Sequence, residues 1–255
     1  MTAPTLVSIT ETAGEGTGTS SYVMDLPTTT SGDLLLIVGF TRGGATGVTV
    51  TCPTDWTELR NEQMTLYTTS SYVAFACWLE ADGTEGATAT VTSSASTSRW
   101  KGFCYRFQDI ADPSTSPPEY ASFQESAGTD NINPPNLTPA GGSKDYYWLA
   151  EADIVGYTDT VSTYPTDYTN TDYGSGGSSG GQPGLGIASL AITASSEDPG
   201  QFTTSDSSNF GGFGATFAIY PVAGGASSGV IHSLANNGGL AGLGGLAGIG
   251  GGMAG

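Results

Sequence analysis

Short runs of alternating apolar and polar residues, separated by turn-forming residues, extend over most of the chain. In Trp100–Phe107, Phe103, Tyr105 and Phe107 alternate with smaller or polar residues, and Tyr72–Leu79 has the same period of two. Asp33–Phe40 is instead a continuous apolar run, which is typical of a central strand buried on both faces. No run of ten or more residues has a 3.6-residue period with helix caps. The pattern therefore predicts β-strands throughout.

Roughly ten to twelve strands are expected, joined by turns rich in glycine, proline and aspartate. We interpret them as an all-β fold, an antiparallel β-sandwich of jelly-roll-like type, over residues 1–222. A linker at 223–238 and a glycine-rich extended tail at 239–255 follow. The best-defined predicted strands are Thr5–Thr10, Ser21–Leu26, Asp33–Phe40, Gly47–Thr51, Trp56–Arg60, Tyr72–Leu79, Ala87–Val91, Trp100–Phe107, Tyr146–Val155, Leu185–Thr193 and Gly214–Pro221.

The composition supports this class. Glycine accounts for 39 of the 255 residues and charged residues for only 12%, against about 25% in ordinary globular domains. Helix-forming lysine, arginine, glutamine and glutamate are scarce, whereas threonine, tyrosine and valine favour strands. The length suits one large sandwich or two small domains.

The charge is strongly one-sided, with 24 acidic residues, 6 basic ones and a formal net charge of -18. Such a surface repels phosphate backbones and anionic lipids, so we expect neither nucleic acid nor a membrane as a partner. Met1–Pro4 has no basic region or apolar segment, which predicts no signal peptide. A chain displayed outside the cell without an export signal would be released by lysis, within assembled particles.

The tail has glycine at every third position, and the first four of these glycines are each followed by leucine or isoleucine. A helix with so many glycines costs about 1 kcal/mol per glycine relative to alanine, whereas polyproline-II geometry places every third residue on one edge. One chain cannot bury the resulting apolar ridge, so the tail predicts an assembly contact. The residues concerned are Gly239, Leu240, Gly242, Leu243, Gly245, Leu246, Gly248 and Ile249.

Three interpretations of the tail stay open: a triple helix with two more copies, a disordered low-complexity end, and ordered docking onto another protein. The segment has no proline, unlike collagen, which weakens the first. We favour docking in an assembly, with a homotrimer or a neighbouring virion protein as the partner.

The three cysteines, Cys52, Cys77 and Cys104, do not form a disulfide framework, because their number is odd and their spacing wide. Cys77 alternates with Val73 and Phe75 and is interpreted as a small buried residue. One bridge with a spare thiol is the alternative.

Catalytic chemistry is not expected. The single histidine, His232, lies beside a glycine-rich segment that would hold it poorly, and the cysteines lack zinc-ligand spacing. We therefore predict no catalytic residue, metal or cofactor. Glu151 and Asp153 share a strand face, and Glu80, Asp82 and Glu85 share a turn. Both groups are interpreted as solvated, with a glycosidase pair as the weaker alternative.

An aromatic loop is the strongest binding-like feature. Tyr157, Tyr164, Tyr168 and Tyr173 lie among threonine, aspartate and glycine, and tyrosine suits sugars and protein partners. Structural packing is the competing interpretation, and we favour it both for these tyrosines and for Trp56 after the Pro53 turn. The alternative is that the loop forms a ligand-binding surface, with a host-surface glycan as the ligand.

Six segments, in order, resemble a β-sandwich module of tailed-bacteriophage and prophage virion proteins. The resemblance covers roughly residues 3–222 and implies a virion component on the particle exterior, either a head-decoration or a tail-fibre protein. We expect a non-enzymatic structural protein, with a receptor- or carbohydrate-binding adhesin at the tail tip as the alternative. The segments are SGDLLLIV (31–38), CPTDWTEL (52–59), EADGTEGATATVTSS (80–94), NPPNLTP (133–139), YPTDYTN (164–170) and SSEDPGQFTTSDS (195–207).

Overall fold

The described part of the chain is built from antiparallel β-strands. The computed structural model describes residues 2–43, 46–66, 70–125, 131–156, 160–176, 182–205 and 211–222. Within these ranges there are fourteen strands and no helix, hence none long and apolar enough to cross a membrane. The strands are β1 Thr5–Asp25, β2 Leu34–Gly43, β3 Val50–Thr51, β4 Thr57–Leu66, β5 Ser70–Glu80, β6 Thr88–Gln108, β7 Glu119–Glu125, β8 Asn131–Ile132, β9 Lys144–Gly156, β10 Val161–Thr163, β11 Thr169–Ser175, β12 Gln182–Ala194, β13 Phe202–Thr204 and β14 Gly212–Ile219.

The predicted all-β antiparallel class is confirmed. Two pairs of predicted strands are joined: Thr5–Thr10 and Ser21–Leu26 both belong to β1, and the two segments that form β6 are likewise continuous. The linker, the tail and the domain boundaries predicted from them lie outside the described residues and stay predictions.

The strands of the described residues form three sheets. The first large sheet has the strand order β1-β6-β2-β5-β4, and the second has β11-β12-β9-β14-β7. A small sheet has the order β10-β13-β8. A further layer of strands covers one face of the first large sheet. In this covering layer the end of β1 pairs with the start of β6, which also pairs with β3.

The two halves of the chain share one topology. Matching β1, β2, β4, β5 and β6 to β7, β9, β11, β12 and β14 converts one large-sheet order into the other. The covering layers correspond as well. The end of β1 corresponds to β8, the start of β6 corresponds to β13, and β3 corresponds to β10. We call residues 5–108 the first repeat and residues 119–219 the second repeat.

A turn sequence supports the duplication. Pro53-Thr54-Asp55-Trp56 leads into β4 and Pro165-Thr166-Asp167-Tyr168 leads into β11. Asp55 and Asp167 both have φ of 68°, a left-handed conformation that aspartate tolerates better than most residues. In each turn the aromatic residue's amide donates to the proline carbonyl, at 3.1 Å for Trp56 and 3.4 Å for Tyr168.

Apolar side chains fill three layers of core. The two large sheets pack face to face through Leu36, Phe103, Leu149, Ile187 and Phe217 among others. The outer face of the first sheet is covered by the end of β1 and the start of β6, and that of the second by β8 and β13. Both faces of the central strands are therefore buried, which explains the continuous apolar runs.

The repeats contact each other reciprocally. Edge strand β1 of the first large sheet lies against β11 of the second, and edge strand β4 lies against β7. In the matching of the repeats, β1 corresponds to β7 and β4 corresponds to β11. If the two repeats are exchanged, the contact between β1 and β11 therefore becomes the contact between β7 and β4. This is the pattern of an isologous interface, here within one chain.

A disulfide joins Cys52 to Cys77, with the Cα atoms 5.8 Å apart. Cys104 is a buried free thiol. The alternative of one bridge with a spare thiol is therefore the observed arrangement. Cys77 is also fully buried, as its apolar neighbours on β5 predict.

Candidate functional site

A cleft of about 480 Å³ opens at one end of the first repeat. Its apolar lining includes Leu26, Trp56 and Leu79, and its polar lining includes Asp55 and Glu80. Cavities of roughly 300–1,000 Å³ with an apolar lining and a few polar groups are typical of small-molecule sites. This cleft is therefore our candidate site.

The backbone around the cleft is held firmly. The Pro53–Trp56 turn places Trp56, which is partly buried and packs against the first-repeat core. Cys52, immediately before the turn, is tied to β5 by the disulfide to Cys77. Turn and strand are thus fixed to each other without a ligand.

The acidic residues of the cleft fall into two groups. Asp82 accepts hydrogen bonds from the amide and hydroxyl of Thr84 at 2.7 and 2.6 Å, and these bonds lower its pKa. Glu85 accepts from the amide of Asp82 and from the hydroxyl of Thr29. These two carboxylates therefore shape the turn.

Asp55 and Glu80 form the second group. Both are exposed, and neither side chain makes a hydrogen bond or an ion pair among the described residues. Their oxygens are available as hydrogen-bond acceptors for a ligand in the cleft.

The predicted tyrosine loop lies in the second repeat. Tyr168 is 8% exposed, and its hydroxyl donates to Glu197 at 3.3 Å. Burial raises the pKa of Tyr168 and that of Glu197. Tyr164 stacks edge-on against Phe202, with ring centroids 5.8 Å apart, and Tyr173 packs on the same core. This placement favours the packing interpretation; ligand binding by these residues stays a prediction, and Tyr157 lies outside the described residues.

Glu151 and Asp153 occupy the interior between the two large sheets, so their interpretation as solvated groups is wrong. Their side chains are 1% and 0% exposed. The guanidinium of Arg60, itself fully buried, lies 3.3 Å from Glu151 and 3.1 Å from Asp153. Its Nε also contacts Glu62 at 3.0 Å. We call these four residues the Arg60 cluster.

The cluster has more negative than positive groups. Burial, and then the charge of Glu151, raises the pKa of Asp153 well above its ordinary value, against the opposing effect of Arg60. Burial also raises the pKa of Glu151. The ion-pair contacts of Arg60 with these two acids lack hydrogen-bond alignment. Both carboxyls lie within the core between the sheets, and the glycosidase alternative stays a prediction.

A second buried charge, Lys101 on β6, lies between the repeats. Its ammonium group forms an ion pair with Glu11 and lies 5.2 Å from the centre of the Phe103 ring. Burial lowers the pKa of Lys101 to about 8, and the charge of Asp172 opposes that shift. The polar groups at this interface thus carry a large desolvation cost.

Among the described residues no group of three or more histidine, cysteine, aspartate or glutamate side chains is arranged to hold a metal ion. His232 and the eight predicted assembly residues, Gly239 to Ile249, lie outside the described part of the chain. Their predicted roles stay predictions.

Sequence reasoning missed Arg60 and the cleft. A signal for Arg60 was present: two acids interrupt the apolar run of β9, and buried acids require a counter-charge. The cleft had no such signal, because it forms from three segments distant in sequence.

No family model matches the chain, and neither the curated proteins nor the solved structures contain a match to it.

Proposed function

We propose that this chain is a non-enzymatic structural component of a tailed-phage particle, displayed on its exterior and attached through its C-terminal tail. The observation that carries the proposal is the pair of repeats that bury their large sheets against each other. Such a double sandwich commits both faces of its central strands to packing, which suits a rigid displayed body. The resemblance of its turn segments to virion modules supports the same role.

The tail provides the attachment. Leu240, Leu243, Leu246 and Ile249 form an apolar series with glycine before each of them. Apolar side chains in a regular series gain roughly 1.5–3 kcal/mol each when a partner buries them. The partner is two further copies of the chain or a neighbouring virion protein, and we favour a compact head-decoration role over a fibre.

The finer fold class, a jelly-roll-like sandwich in each repeat, belongs to the same proposal. In the first repeat β1 pairs with β6 outside the pair β2 and β5, so the pairing is nested. The chain also passes several times between the large sheet and its covering layer. Nested pairs divided over two sheets are how jelly rolls are built, which supports this class.

The experiment compares phage particles released by lysis from cells that make the full chain with particles from cells that make a variant ending at residue 238. We expect the full chain in purified particles by quantitative mass spectrometry and immunogold labelling, and the truncated chain in the unassembled fraction. Leu243→Asp should behave like the truncation, whereas Ala247→Ser, in the same tail, should assemble normally. Absence of the full chain from particles, or full incorporation of the truncated one, contradicts the proposal.

A further inference from the structure

The two repeats differ at the equivalent of the cleft. In the second repeat the amide of Leu137 donates to the carbonyl of Glu197 at 2.9 Å; in the first, the amide of Leu26 donates to that of Ala87 at 2.8 Å. Ala87 thus occupies the position of Glu197, just as Trp56 occupies that of Tyr168. The Glu197 side chain bonds to Tyr168, whereas alanine cannot reach Trp56.

The consequence is one closed site and one open site. Tyr168 is nearly buried, and its hydroxyl is occupied by Glu197. Trp56 remains partly exposed and lines a cleft of about 480 Å³. The aromatic ring at this position is therefore covered in the second repeat, whereas Trp56 borders an open cleft in the first. Because the two repeats share one topology, this difference comes from their side chains.

The chemistry of the open cleft is specific. Trp56, Leu26 and Leu79 offer apolar surface, including part of an indole ring that can stack on the C–H face of a sugar. Asp55 and Glu80 offer carboxylate acceptors with no partner among the described residues, and sugar hydroxyls are suitable donors to them. Threonine hydroxyls add further polar groups, among them Thr88 and Thr90.

We propose that the Trp56 cleft binds a neutral oligosaccharide. The formal charge of -18 and the cleft's own acidic residues oppose sialylated or sulfated glycans. A neutral sugar satisfies the carboxylates through its hydroxyls and covers the indole without adding charge. The inference does not depend on where the protein resides in a particle, and it is separate from the predicted tyrosine surface.

The test applies the full chain to an array of neutral hexose and N-acetylhexosamine oligosaccharides, with sialylated and sulfated glycans on the same array. We expect binding within the neutral set only, followed by titration calorimetry of the best neutral ligand. Trp56→Ala should weaken that binding at least about tenfold, since a lost stacking contact of about 1.4 kcal/mol is a factor of ten. Phe123→Ala is the matched control, because Phe123 is 55% exposed on β7, in the other repeat.

Two further variants keep the test decisive if Trp56→Ala fails to fold. Glu80→Gln leaves the apolar contacts in place and should weaken binding severalfold. The double variant Trp56→Tyr with Ala87→Glu copies the closed site of the second repeat, and should abolish binding while the far-ultraviolet circular dichroism stays unchanged. The proposal is overturned if the chain binds no neutral glycan. It is also overturned if folded Trp56→Tyr/Ala87→Glu binds as well as the unaltered chain.

Discussion

At the scale of single residues, the Arg60 cluster is the site where charge is most strongly constrained. Three carboxyl groups face one guanidinium, and two of those carboxyls are fully buried. A buried charge without full compensation is costly, so such a group retains its proton instead. The raised pKa of Asp153 follows from this imbalance. Burial and the charge of Glu151 therefore favour the protonated form of Asp153.

Retention of that proton makes stability depend on pH in a defined direction. Because the folded-state pKa of Asp153 lies above the unfolded value of 3.8, its contribution is complete below 3.8 and is lost as pH rises through the raised pKa. One extra proton corresponds to a slope of up to about 1.4 kcal/mol per pH unit. Asp153→Asn removes this titration, so we expect a flatter profile and greater stability than the unaltered chain at pH 8.

Urea unfolding between pH 5 and pH 9 measures the effect. Asp112→Asn is the control: Asp112 is exposed and its pKa is lowered by hydrogen bonds from Ser114, so it stays ionised over this range. Its profile should run parallel to that of the unaltered chain. If Asp153→Asn also runs parallel, Asp153 does not hold the proton.

At the scale of elements, the disulfide joins Cys52, next to the turn before β4, to Cys77 in the C-terminal half of β5. The bridge spans 25 residues and includes the whole of β4. A cross-link over a loop of this length stabilises the fold by about 2–4 kcal/mol, mainly by restricting the unfolded chain. It also fixes the position of Trp56 relative to Leu79 across the cleft.

Thiol titration and unfolding check this arrangement. Burial raises the pKa of the Cys104 thiol, so we expect no reaction with a disulfide reagent in the native state and one reactive thiol in denaturant. Reductant in denaturant should release two more. Cys52→Ala/Cys77→Ala should lose about 2–4 kcal/mol of unfolding free energy. Three reactive thiols in denaturant alone show that the bridge is absent.

Most of the long strands were predictable from sequence because they carry a local signal, whereas β7, β8, β10, β11 and β13 were not predicted. Asp33–Phe40 lies almost wholly within β2, where a continuous apolar run reflects burial on both faces. Tyr146–Val155 lies within β9, where Glu151 and Asp153 interrupt the apolar run. The repeat was less visible, because its clearest sequence likeness is the short segment around the Pro-Thr-Asp turns before Trp56 and Tyr168. The Arg60 contacts and the cleft join distant segments, and local periodicity contains no information about them.

At the scale of the whole molecule, the two repeats share one core. Phe217 on β14 is fully buried between the large sheets, beside residues of β2 and β6 from the first repeat. If either large sheet separates from the other, the apolar side chains of both sheets that lie between them become exposed to water. The double sandwich should therefore unfold as one cooperative unit, although its topology is that of two.

Phe217→Ala tests this shared stability. Truncating a buried phenylalanine costs about 3–5 kcal/mol, and we expect that loss to appear in both repeats although the change lies in the second. Hydrogen exchange read by mass spectrometry should show peptides from β2 and from β9 losing protection by the same free energy. The control Phe123→Ala removes an exposed ring from the neighbouring strand β7 and should change exchange by less than about 0.5 kcal/mol. Loss of protection confined to residues 119–219 would mean that the repeats are independent domains in contact. Equal loss in both means that duplication of the fold has produced a single folding unit.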